Sequence, residues 1–130
     1  MTPELTYLAA TLILAVVQIF LPAVGRTRQF GAKWNAGPRD GVMPPGGPVT
    51  GRLERAQSNL YETLPLFIGA VLIAHVTGAE SALTLWGAAL YFWARVVYVP
   101  LYAFGVPYIR SLVWLVSLAG LVMIIAALFV

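Results

Sequence analysis

Between Leu5 and Val24 the chain carries no charge and a single strongly polar residue, Gln18. A run of about 20 such residues is what a helix needs to cross the hydrocarbon core of a bilayer. Three more apolar stretches follow, and they predict helices over about residues 52–76, 81–104 and 110–130. Lipid offers no partner to an open strand edge, so the expected fold class is all-α: an integral membrane four-helix bundle, one domain over residues 1–130. Composition agrees. Hydrophobic residues make up 60% of the 130 and charged residues 10%, where a soluble domain carries about a quarter charged. With a mean hydropathy of +0.84, a chain this short has too little interior to hide its apolar surface from water. The first run is expected to remain in the mature protein, because Glu4 and no Lys or Arg precedes it.

Six of the eight basic residues (Arg26, Arg28, Lys33, Arg39, Arg52, Arg55) lie in or beside the segment 26–51. The positive-inside rule therefore places that segment in the cytoplasm and both termini outside. Its GPRDGVMPPGGPVTG tract reads as an irregular, exposed connection. The tract lacks the G-x-x-x-x-G-K-[ST] pattern, and its prolines remove donors that a phosphate cradle needs. The chain has no Cys, which excludes disulfides, thiolate metal sites and a cysteine nucleophile. His75 stands alone, so no metal site is expected, and the charges are too dispersed for a nucleic-acid surface.

Polar groups inside the spans carry the functional signal. Arg52, Arg55, Asn59 and Glu62 fall at helical offsets that confine them to a stripe roughly 80° wide on the second span. On the third span Tyr91, Arg95, Tyr98 and Tyr102 fall within about 60° of one another. Counted from the cytoplasmic ends, Glu62 and Arg95 come out at matching depth, too deep for either to face lipid without several kcal/mol of cost. Two readings stay open at this point. Glu62 and Arg95 form an ion pair that fixes helix register, with Asn59 bonding between helices; or the surplus of arginines over carboxylates lines a cavity for an anionic ligand. Pro65 and Pro100 each remove one backbone bond and are expected to kink their helices. The four tryptophans read as interfacial anchors or packing.

The run R-A-Q-S-N-L-Y-E-T-L-P-L-F, Arg55 to Phe67, resembles the second-helix signature of the MAPEG family, the membrane-associated proteins in eicosanoid and glutathione metabolism. A second block, A-R-V-V-Y-V-P-L-Y, with Arg110–Ser111 after it, is similar to the family's third helix and the start of its fourth. The resemblance implies a homotrimer of four-helix protomers. It also implies that glutathione binds as co-substrate between adjacent subunits near the cytoplasmic face, its thiolate presented to lipophilic electrophiles or hydroperoxides that arrive from membrane lipid. By motif position Arg55, Asn59, Glu62, Arg95, Tyr98, Tyr102 and Arg110 match the family's glutathione-binding residues. Arg28 resembles the arginine at the inner end of the first helix that some members use to activate the thiol.

There are departures. Trp114 stands where some eukaryotic members have a tyrosine, and Ser58 replaces a basic residue found beside the asparagine in others. Eicosanoid specificity therefore does not transfer, and the chain looks more like the bacterial branch, with a bacterial inner membrane as the expected location. The implied chemistry is a glutathione-dependent transferase or peroxidase. The alternatives are a non-catalytic binding or scaffold protein with an anionic-ligand pocket, and a small proton-coupled exporter. Cationic neighbours of Glu62 weigh against the exporter, because they hold the carboxylate ionised.

Overall fold

The computed structural model describes residues 1–38 and 47–130. The elements are α1 (Pro3–Phe30), α2 (Ala32–Ala36), α3 (Pro48–Val76), α4 (Ala82–Ala103) and α5 (Tyr108–Ala127). Four of them, all but α2, are long and apolar enough to cross a membrane. Their outer surface is as apolar as an ordinary interior: Ile13 is 67% exposed and Phe20 61%. The protein is an integral membrane protein, and lipid or another protein must cover those side chains.

Helix ends follow from local chemistry. Thr2 caps α1 by accepting the Leu5 N–H at 3.3 Å, with Pro3 entering the first turn. The segment 26–51, expected as an irregular loop, is helical at 26–30, 32–36 and 48–51, and the first helix does not stop at Val24 as expected. It continues to Phe30, because Gly25 is a point of close approach rather than a break: a methyl group there would overlap the Thr50 side chain. Arg26 then ties the extension to α3 through Glu54, 2.5 Å away. Gly31, at φ 93°, ends the helix in a conformation only glycine adopts readily. Pro48 starts α3 four residues before the expected Arg52. Arg39 and most of the Pro/Gly tract lie outside the described residues.

Successive long helices run antiparallel. In cross-section α3 and α4 pack on each other and both touch α1 and α5, while α1 and α5 make no contact. At the α4–α5 crossing Gly87 and Gly120 face each other; a Cβ on Gly120 would sit 2.5 Å from the Gly87 carbonyl oxygen. Small residues let these two backbones approach closely where no hydrophobic effect drives helices together. Phe67 and Tyr91 stack at 4.1 Å between α3 and α4, and the Tyr91 hydroxyl pairs with that of Thr63 at 2.8 Å. Away from the basic end, Thr2 donates to Glu80 at 2.6 Å and His75 lies 3.2 Å from the same carboxylate. The Thr2 hydroxyl holds the Glu80 carboxyl below its ordinary range.

Candidate functional site

The polar residues of the second and third spans meet at the basic end of the bundle. Arg95 projects from α4 and donates Nη1 to Asn59 Oδ1 on α3 at 2.8 Å. Its guanidinium carbon lies 4.4 Å from the centre of the Tyr98 ring, within cation–π range. Tyr98 and Tyr102, one turn apart on α4, meet edge to face at 5.5 Å. Tyr102 in turn has Arg110 of α5 at 4.5 Å and Arg55 of α3 at 5.9 Å from its ring centre. Three helices thus converge, each bringing one arginine to a pair of phenols in edge-to-face contact.

Between them lies a cavity of about 240 Å³ lined by Asn59, Tyr98, Tyr102, Arg110, Ser111 and Trp114. Four of these were legible as site residues; Ser111 and Trp114 were not. Trp114 sits four positions after Arg110, on the same side of α5, and that helical spacing is the signal that would have found it; Ser111, about 100° round from Arg110, carries no such signal. Trp114 reads from sequence as an anchor, yet its indole N–H is buried with no partner among the described residues.

The expected Glu62–Arg95 ion pair is not present. Arg95 is 1% exposed and bonded to Asn59, whereas Glu62 lies exposed on α3. Register explains the difference. Thr63 pairs with Tyr91 and Asn59 with Arg95, so Arg95 is level with Asn59, about one turn nearer the basic end than Glu62. Rotation separates them further: Asn59 faces α4, while Glu62 shares the outward face with Arg55, Ser58 and Tyr61. The stripe on α3 is therefore divided among partners. Arg52 leaves it altogether, donating to the Ala103 carbonyl at 3.4 Å and so capping the end of α4.

Arg28 lies exposed in the last turn of α1. It is absent from the cavity lining, and α1 does not touch α5. No group of metal-ligating side chains occurs among the described residues. Residues 7–130 match the family model described as MAPEG family, a span that takes in every residue of the cavity. No curated protein matches the chain.

Proposed function

Because the chain belongs to the MAPEG family, we propose that it is a glutathione-dependent membrane transferase or peroxidase acting on lipophilic substrates, assembled as a homotrimer. The observation that carries this reading is a cationic, phenol-lined cavity at the basic end of an otherwise apolar bundle, next to an outward-facing carboxylate. Glutathione has two carboxylates, one ammonium group and one thiol. Arg55 and Arg110 suit the carboxylates through charge-assisted hydrogen bonds, and Glu62 suits the ammonium. Asn59 contributes its amide from a position fixed by Arg95, which is too buried to touch the ligand itself.

Size supports the oligomer. About 240 Å³ falls below the roughly 300–1,000 Å³ of ordinary small-molecule pockets, so one protomer supplies only part of a site. An exposed Glu62 inside a membrane span also needs cover other than lipid. A second copy laid against the outward face of α3 would meet both needs, and it would bring its own Arg28 to a site that this protomer's Arg28 does not line. The glutathione thiol supplies the nucleophile. A guanidinium or phenol beside it favours the thiolate and stabilises the negative charge before attack. The Trp114 ring gives the cavity one apolar wall against which a lipophilic partner from the bilayer can lie.

The test is calorimetric titration of detergent-purified protein with glutathione, followed by displacement with S-hexylglutathione. Saturable binding that the hexyl conjugate displaces supports the site. Absence of heat with both ligands refutes it, and binding with neither thioether formation from a chromogenic aryl halide nor reduction of a lipid hydroperoxide would remove the catalytic part of the reading.

A further inference from the structure

Arg52, in the second turn of α3, does not line the cavity. Its guanidinium goes to the connection between α4 and α5, residues 104–107. That connection opens as a Schellman turn. Gly105, at φ 71°, donates its N–H to the Tyr102 carbonyl, and Val106 donates to that of Leu101, both at 3.0 Å. The Ala103 carbonyl, next in the row, receives Nη1 of Arg52 at 3.4 Å. α4 has no basic residue in its last turn, and α5 has no side-chain cap at its start. A cation lent by α3 therefore meets the negative end of the α4 dipole.

The guanidinium also lies flat on the turn. A Cβ on Gly105 would stand 3.0 Å from Cζ of Arg52 and 3.2 Å from each Nη. For a planar group, such nearly equal distances mean that its face is turned to the glycine. Residue 105 must then be glycine for two reasons, the positive φ and the space the guanidinium takes. Arginine suits the other side of the contact, because a planar, weakly hydrated cation covers the backbone and donates in its own plane at once, which an ammonium does not.

This turn joins two residues of the cavity. Tyr102 gives its carbonyl to the turn and its ring to the cavity lining. Five residues beyond Gly105 comes Arg110, whose guanidinium carbon lies 4.5 Å from the centre of that ring. We propose that Arg52 is a positioning residue for the cavity: by clamping the α4–α5 turn to α3 it fixes where α5 begins, and so sets how Arg110 is presented over Tyr102 to an anionic group of the ligand. The identity of that ligand as glutathione rests on the function proposed above, whereas the clamp itself does not.

Two measurements on the detergent-purified chain test the clamp, with Arg52→Gln and Gly105→Ala as variants; the second leaves the charge of Arg52 in place and displaces its guanidinium. Hydrogen exchange, read without ligand, should speed up about tenfold at the amides of Gly105 and Val106 in Arg52→Gln. Unchanged exchange there overturns the proposal. Calorimetric titration with glutathione should show Kd raised about tenfold by either variant. With Arg110→Gln as background, the further effect of Arg52→Gln should fall below about twofold, because the residue it positions is gone. An equal loss in both backgrounds overturns the proposal, since Arg52 would then act on the ligand independently of Arg110, and so does a Gly105→Ala protein that binds as the natural chain does. If Arg52→Gln does not fold, Gly105→Ala carries the same comparison, with exchange read at Val106. If the natural chain binds no glutathione, the proposed function fails and exchange alone decides the clamp, as it does where Arg110→Gln binds too weakly to titrate.

Discussion

Replacing Glu62 with Gln removes one charge and little else, and it separates ligand binding from folding. Glu62 lies midway along α3 (Pro48–Val76), about 21 Å from Val76 at 1.5 Å per residue. With Val76 at one interface of a hydrocarbon core ~30 Å thick, the carboxylate sits roughly 9 Å inside the other. A carboxylate facing lipid near that depth would cost up to about 2.5–3.5 kcal/mol on insertion scales, and among the described residues no ion pair offsets that cost for the exposed Glu62. If a second copy covers Glu62 and the ammonium of glutathione pairs with it, the substitution strips one partner from a desolvated pair. The expected loss in affinity is about 2–4 kcal/mol, a factor of roughly 30 to 1,000 in Kd. Apo stability should stay the same or rise, because a neutral amide is less costly to bury than an unpaired carboxylate. Calorimetry with glutathione and thermal unfolding on the same preparations read the two effects. A Glu62→Gln protein that binds glutathione within twofold of the natural chain would refute the assignment; a large fall in apo Tm would show that the carboxylate is structural.

Other perturbations test separate parts of the structure. Gly120→Ala places a Cβ 2.5 Å from the Gly87 carbonyl oxygen, so it should destabilise the α4–α5 crossing by about 1–3 kcal/mol, measured as a lower Tm in detergent. Asn59→Leu leaves the buried Arg95 guanidinium without its hydrogen-bonded acceptor and should cost about 3 kcal/mol or more, with Asn59→Asp retaining the fold. Glu80 has its carboxyl lowered by the Thr2 hydroxyl; it contributes stability above its unfolded value of about 4.5 that is lost as pH falls through its folded value. Glu80→Gln should therefore unfold earlier than the natural chain at neutral pH, and the deficit should shrink as pH falls below about 4.5. A periplasmic reporter fused after Val130 should be active, and a cytoplasmic one silent, if the basic segment faces the cytoplasm.

How far the sequence could be read depended on whether a property was set by one helix or by two. Span existence is a one-helix property, governed by length and hydropathy, and all four spans were legible, α3 and α4 to within a few residues at each end. The extension of α1 to Phe30 was not, because it rests on Thr50 fitting against Gly25 and on Glu54 meeting Arg26, contacts between helices far apart in sequence. The polar stripes were legible as faces, and six of the seven expected binding residues do gather at the basic end. Their division of labour was not legible, since counting residues from span ends misjudges register by about one turn, enough to exchange Asn59 for Glu62 as the partner of Arg95.

That exchange alters which arginine matters to a ligand. Arg95 is conspicuous in the sequence as the sole charge of its span, but at 1% exposure it is the member of the set least able to reach one. Arg110 lies in the first turn of α5 and Arg55 is exposed two turns into α3, both toward the basic end, where hydration makes a guanidinium cheap to hold in place without a carboxylate partner. A bundle that must fold before it meets its ligand therefore needs two kinds of arginine. One is buried and fixes the amide of Asn59; the others have no carboxylate partner among the described residues, with Tyr102 between them as the surface on which both rest. Under the proposed function an outward Glu62 is useful for the same reason: a carboxylate paired with Arg95 would leave no group for the ammonium of glutathione.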